Sequence, residues 1–251
     1  MIKAPKNIMN PYLEQELSRS RDNGYLQYHA PRYDRLLSLL LKYYSKDLRV
    51  LDIGRSPFTR IAADTIKSDI DTLGFEADKQ TDTGYNYQYD LNHAQQEDTY
   101  RKDLPAYDII IFAEVIEHLH TSPALVLNFL KTLLTDNGII ILQTPNAAVL
   151  HKRVQFLLGS HPFSLISENL EHPSHFREYT LDELINYGRN LGFTIVEKGH
   201  ENYFDYRYSL LNNGTFSFRK RRGLLNSFYR LVPAGGKPGL CMVLRLDKIC
   251  R

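Results

Sequence analysis

YDIIIFAEVIEHL, residues 107–119, opens as a near-continuous apolar run and closes on Glu114, Glu117 and His118. A run from Tyr107 to Val115 with so little polar alternation fits a strand buried on both faces, the place of a central strand in a parallel sheet. Upstream, LRVLDIG at 48–54 is a shorter apolar run that breaks at Gly54. TLGFEAD at 72–78 is another, and the stretch from Phe58 to Lys67 between them is helical in pattern. Downstream, Pro123 opens a helix with Leu127, Leu130 and Leu134 on one face, and Asn137-Gly138 closes it before IIILQT. Leu36, Leu37, Leu40, Leu41 and Tyr44 predict an amphipathic helix over 32–45. Thr180 with Glu183 forms a capping box for a helix running to Gly192, followed by FTIVE. KPGLCMVLRLD at 237–247 reads as the last strand, returning to the sheet edge.

Strands separated by helices in this order predict an α/β fold with a doubly wound, mostly parallel sheet and helices on both faces. Ligands in such sheets sit at the carboxyl ends of the strands. Residues 146–179 and 198–238 break the alternation and are long enough to form a lid and a variable cap. The chain therefore reads as one domain over 1–251, with a core over about 30–197 and a final strand at 239–247. Its 43% hydrophobic and 24% charged residues are ordinary for a globular protein. With 31 Lys and Arg against 29 Asp and Glu, the net charge of +2 gives no global attraction to nucleic acid or membrane. Cys241 and Cys250 alone suit a reducing compartment and offer neither a disulfide framework nor a thiolate metal site. No stretch approaches the about 18 apolar residues of a membrane span, so the expectation is a soluble, cytoplasmic protein.

Gly54 ends the first strand where a glycine lets the backbone turn sharply and present amides to a ligand. Glu76 lies 22 residues further on, the distance at which an acidic residue grips a ribose diol. These two features describe a nucleoside-binding α/β domain. A nicotinamide dehydrogenase shares them, but it needs G-x-G-x-x-G after the first strand, and that pattern is absent.

The order LDIG, GFEAD, YDLN, YDIIIFAEVIEHL, LLTDNGIIILQTPN resembles the class I methyltransferase superfamily over roughly residues 30–197. The resemblance implies a Rossmann-like, seven-stranded sheet and a pocket for S-adenosyl-L-methionine. By carry-over, Asp52 and Gly54 line the methionine end, Glu76 takes the ribose hydroxyls, and Asp90 with Leu91 meets the adenine edge. Ala113 and Glu114 border the methionine and sulfonium side. One departure stands out: the glycine-rich loop of the family is here Gly54-Arg55-Ser56-Pro57-Phe58. Ser56 is small enough to replace a second glycine, and Pro57 can take the first position of a helix without losing a needed donor.

Methyl transfer from a sulfonium is an in-line displacement, so the enzyme mainly aligns the acceptor and removes its proton. His118 and His175 are the candidate bases, among Glu114, Glu117, His120, His172, Arg177, Glu178 and Tyr179. On a helix, Glu114 and His118 would share a face. The stretch also resembles ubiquinone-type O-methyltransferases and small-RNA 3′-terminal methyltransferases, and this resemblance implies a divalent cation, Mg²⁺, Mn²⁺ or Zn²⁺, held by Glu114, Glu117, His118 and His175. The alternative is a hydrogen-bonded helix cap. HFREYT at 175–180 is similar to a pattern in bacterial methyltransferases associated with cell-surface sugars and secondary metabolites, so a small sugar or other hydroxylated metabolite is the expected acceptor, with O-methylation.

In FSFRKRRGLLNSFYRLVP, Leu224, Leu225, Phe228, Leu231 and Val232 form a helical stripe beside Arg219, Lys220, Arg221 and Arg222. Residues 218–232 thus read either as an interfacial segment touching a membrane, a lipid-linked sugar or nucleic acid, or as a core-facing helix with a solvated basic edge, the commoner arrangement. A nucleic-acid methyltransferase and a non-catalytic relative that binds the cofactor are the alternatives to a small-molecule enzyme.

Overall fold

A computed structural model of the chain describes residues 9–20, 23–168, 174–210 and 216–247. In chain order the elements are α1 (Pro11–Arg19), α2 (Gly24–Tyr43), β1 (Val50–Ile53), α3 (Pro57–Ile66), β2 (Asp71–Gly74), β3 (Lys79–Gln80), β4 (Tyr85–Gln88), β5 (Tyr107–Ala113), α4 (Pro123–Thr132), β6 (Leu134–Pro145), α5 (Leu150–Leu157), α6 (Leu181–Asn190), β7 (Phe193–Glu201), β8 (Tyr208–Leu210), β9 (Phe216–Phe218), α7 (Gly223–Leu231) and β10 (Gly239–Leu246). Eight strands form one sheet in the order β3-β4-β2-β1-β5-β6-β10-β7, and β8 pairs with β9 in a separate hairpin.

The ladders β4-β2-β1-β5-β6 are parallel, as the run at 107–115 requires. Side chains of β5 alternate between two cores. Ile110 and Phe112 pack with Phe129, Leu130, Leu184 and Ile185 beneath α4 and α6. Ile109 and Ile111 face Leu36, Leu37, Leu40, Phe58 and Ile61 of α2 and α3. Both faces of the sheet are therefore sealed, and polar chemistry is left to the strand ends.

Four expectations change. The sheet has eight strands instead of seven because Lys79–Gln80 folds back antiparallel on β4. The last strand is not at the edge: β10 lies antiparallel between β6 and β7. The physical reason is in its composition, since Gly239 to Leu244 are all buried whereas β7, FTIVEKGHE, carries the polar residues an edge tolerates. Asn137-Gly138 does not end α4, which stops at Thr132; Asn137 adopts φ 65° inside β6, where the register against β5 shifts. α2 also begins earlier than the pattern at 32–45, at Gly24, and carries Pro31 within it at the cost of one ladder bond.

Thr180 caps α6 as read: its hydroxyl accepts from Glu183 N–H, and the Glu183 carboxylate accepts from Thr180 N–H at 2.8 Å. Thr180→Ala should lower stability by about 1 kcal/mol, seen as a lower denaturant midpoint at unchanged slope.

Candidate active site

The carboxyl ends of β1, β2 and β5 open onto a cleft with two lobes. One, of about 220 Å³, is lined by Tyr25, Arg32, Tyr33, Asp52, Ser56 and Glu114 among others. The other, of about 460 Å³, is lined by Leu73, Phe75, Glu76, Asn86, Leu91 and Leu119 among others. Gly54, Arg55 and Val115 belong to both, so the lobes meet at the glycine turn. Gly54 has φ 79°, a conformation that a side chain would strain, and its N–H donates to Leu73 O at 2.9 Å.

In the smaller lobe, Asp52 is buried and accepts from Thr59 Oγ1 at 2.7 Å. Burial pushes its carboxyl up to about 7, against the pull of Thr59 and Arg32. Ser56 caps α3 by accepting from Phe58 N–H at 3.2 Å, and Pro57 holds the first helical position, so the altered loop is a compact helix start. Ala113 ends β5 on the wall of this lobe. Glu114 follows with φ 55°, backbone strain of the kind that collects at functional sites. Arg32 of α2 pairs with it at 3.3 Å, and Arg32 Nε and Glu114 Oε1 remain buried without a hydrogen-bond partner.

In the larger lobe, Glu76 sits exposed on the rim, ion-paired to Lys79, which holds its carboxyl below the usual range. Leu91 lines the wall. Asp90 does not; it caps the following turn, accepting from Asn92 N–H at 2.9 Å.

Beyond Glu114 the chain makes a single tight turn, Ile116–His118, and no α-helix, so Glu114 and His118 do not share a helical face. The turn instead joins Glu117, His118 and His175, whose ligand atoms lie within 4.8 Å of one another. Glu114 is not in this group. The Glu117 side chain is wholly buried; its Oε2 accepts from Thr144 Oγ1 at 2.9 Å while Oε1 has no hydrogen-bond partner. Burial raises its carboxyl despite His118 and His175 nearby. The rings of His118 and His175 meet edge to face at 4.7 Å. His175 Nδ1 lies 2.9 Å from Glu178 Oε1. Burial pulls that imidazole down, but Glu178 and Glu117 outweigh it and leave it raised. Burial works in the opposite sense on Glu178, yet His175 and Lys152 keep it low. Arg177 is spent on Glu183, Tyr179 is buried in the core, and His120 packs beside Phe176. His172 lies outside the described residues.

A methyltransferase-domain family model matches residues 25–198. The chain belongs to that family. It is accordingly a methyltransferase of the class I, S-adenosylmethionine-dependent superfamily. In structure it is similar to an S-adenosylmethionine-dependent methyltransferase from Archaeoglobus fulgidus (TM-score 0.54, 16% identity, 94% of this chain and 100% of that one). A chain of the complex between the Haloferax volcanii Trm112 methyltransferase activator and its methyltransferase gives TM-score 0.60 at 14% identity, over 96% of this chain and 100% of that chain. A methyltransferase from Mesorhizobium loti gives 0.51 at 14%, over 84% and 96%. No curated protein matches this methyltransferase in sequence.

Sequence reasoning missed Arg32, Phe75, Asn86 and Lys152. Arg32 and Lys152 lie on helices whose pattern reports only packing, and their partners are distant in sequence. Asn86 donates to Glu76 O at 2.8 Å and accepts from Thr72 Oγ1 at 2.8 Å, so it braces the Glu76 loop. An asparagine between two tyrosines of β4 was the available signal. Phe75 is an exposed ring beside the acidic residue, which marks it for stacking.

The raised Asp52 carboxyl has a testable consequence in the ligand-free protein. Its native value lies above that of an ordinary aspartate, about 4, so protonation favours folding below about pH 4, and that contribution is lost as pH rises through about 7. The stability difference between Asp52→Asn and the wild type, from denaturant melts, should shift in favour of the variant across that window. A pH-independent difference would show that the carboxyl is not desolvated.

Proposed function

We propose that the methyltransferase seats S-adenosylmethionine across both lobes and passes its methyl group to a hydroxyl of a small metabolite, such as a sugar, on the His118–His175 side. The observation that carries this reading is the junction of the lobes at Gly54, which leaves room for a nucleoside on one side of the turn and an amino-acid tail on the other. The unpartnered Arg32 and Glu114 atoms are complementary to an α-carboxylate and an α-ammonium, and Asp52 adds negative charge behind the ammonium. Glu76 accepts from the ribose diol, and Phe75 with Leu91 encloses the adenine.

Transfer moves the methyl carbon from sulfur to the acceptor oxygen; the C–S bonding pair stays on sulfur and leaves S-adenosylhomocysteine. The acceptor hydroxyl proton goes to an imidazole. His175 is suited to this, because Glu178 fixes its Nδ1 side and leaves Nε2 for the acceptor.

A second reading of the same cluster is supported by the buried, unpartnered Glu117 Oε1. One carboxylate and two imidazoles suit a divalent transition ion, which Glu117, His118 and His175 would hold and which would acidify the acceptor hydroxyl. Glu114 would take no part, since it stands outside this group.

Calorimetric titration with S-adenosylhomocysteine tests the cofactor site. Wild type should bind, with affinity rising through about pH 7 as Asp52 ionises behind the ligand's α-ammonium, and Glu76→Ala should bind roughly tenfold more weakly. Absence of binding would remove the reading. Once a sugar or phenol acceptor is found by screening, exhaustive chelation separates the two chemistries: unchanged turnover sinks the cation, whereas loss restored by one divalent ion supports it.

A further inference from the structure

The stripe on α7 turns away from the core. Leu224 and Leu231 are 78% and 86% exposed, Leu225 and Phe228 are exposed with them, and only Tyr229 of this helix is buried. A core-facing helix with a solvated basic edge is therefore not what the chain builds. The neighbouring α5 does the same. None of its residues is buried, and Phe156, Leu157 and Leu158 at its end are exposed, Leu157 by 85%, with Leu165 and Ile166 bare beyond them.

The two helices are one structural unit. Val149, Leu150, Tyr229 and Val232 pack together, and His151 Nδ1 lies 3.0 Å from Tyr229 Oη. Arg153 Nη2 donates to Gly235 O at 2.7 Å. Asn226 ties α7 to the rest of the cap, donating to Asp205 Oδ1 at 2.8 Å, while Asp205 N–H donates to Tyr28 O on α2 at 2.8 Å. This unit is thus fastened to the helix that supplies Tyr25, Arg32 and Tyr33 to the cleft.

Its charge is as lopsided as its apolar exposure. Residues 216–238, which contain α7, hold six of the chain's 31 Lys and Arg and none of its 29 Asp and Glu. Arg219, Lys220, Arg221, Arg222 and Arg230 are all exposed and flank the α7 leucines. No helix among the described residues is long and apolar enough to cross a membrane. Bare aliphatic side chains gain nothing from a phosphodiester backbone, and a protein partner would leave the core of its interface poor in charge. Aliphatic groups that can sink between acyl chains, ringed by arginines at the depth of the headgroups, match a bilayer surface.

We propose that α5 and α7, with the loops beside them, form a peripheral docking surface for an anionic lipid bilayer. The surface is independent of the acceptor assignment.

The test is co-sedimentation of the full chain with vesicles of phosphatidylcholine alone and of equimolar phosphatidylcholine and phosphatidylglycerol. Binding to the anionic vesicles alone is expected, weakening by roughly fivefold for each arginine removed in Arg221→Gln and Arg222→Gln. A comparable loss is expected for Leu224→Ser with Leu231→Ser, and separately for Leu157→Ser with Leu158→Ser. Exposed positions should leave thermal melting and S-adenosylhomocysteine binding unchanged, which separates a docking defect from misfolding or from failure of the cofactor site. No binding by the intact protein overturns the proposal. So does vesicle binding that the leucine variants leave intact, tighter binding to single-stranded RNA that only the arginine changes weaken, or a dimer in solution that the leucine changes dissolve.

Discussion

The burial of β5 on both faces is the constraint on which the rest depends. A strand whose odd and even apolar side chains enter two cores leaves almost no polar surface along its length, so layers of helix must cover both sides of the sheet, the arrangement in which parallel strands are found. Polar groups can then enter only where strands stop. Asp52, Gly54, Glu76, Glu114 and Glu117 all stand within a few residues of such an end, and this single restriction gathers the first four on one cleft.

The strand ends concentrate carboxyl groups in a partly dry place. Asp52 and Glu117 are each pushed up by burial, while Arg32 is the buried cation that offsets Glu114. Such a cluster is costly unless a ligand completes it. The unpartnered atoms of Arg32, Glu114 and Glu117 are consistent with a polar, zwitterionic occupant on the Arg32 side and with an ion or a hydroxyl on the Glu117 side.

Much of the fold was legible because apolar periodicity is a local property. The strands at 50–53 and 107–113, the α6 cap and the Pro57 helix start follow from neighbouring residues. What was not legible depends on distant partners. The place of β10 inside the sheet is decided by competition with β7 for two-sided burial. The exclusion of Glu114 from the histidine cluster follows from a tight turn at Ile116–His118 and from Arg32, more than eighty residues upstream. Asp90 also caps the turn that starts at Leu91 by accepting from Asn92 N–H, a short-range contact that the motif conceals. The outward stripe on α7 could not be told from an inward one, since helical spacing shows that a face is apolar but not what it meets.

The internal position of β10 also bears on how the protein is made. Among the described residues β7 has no strand partner other than β10. During synthesis β7 emerges with only α6 to lean on, and the segment from Asn202 to Pro238 must follow before its ladder can form. The nascent sheet therefore waits with β6 as an open edge until the closing strand threads into the gap, and for that interval the growing chain presents a sticky, unfinished margin to whatever chaperones attend it.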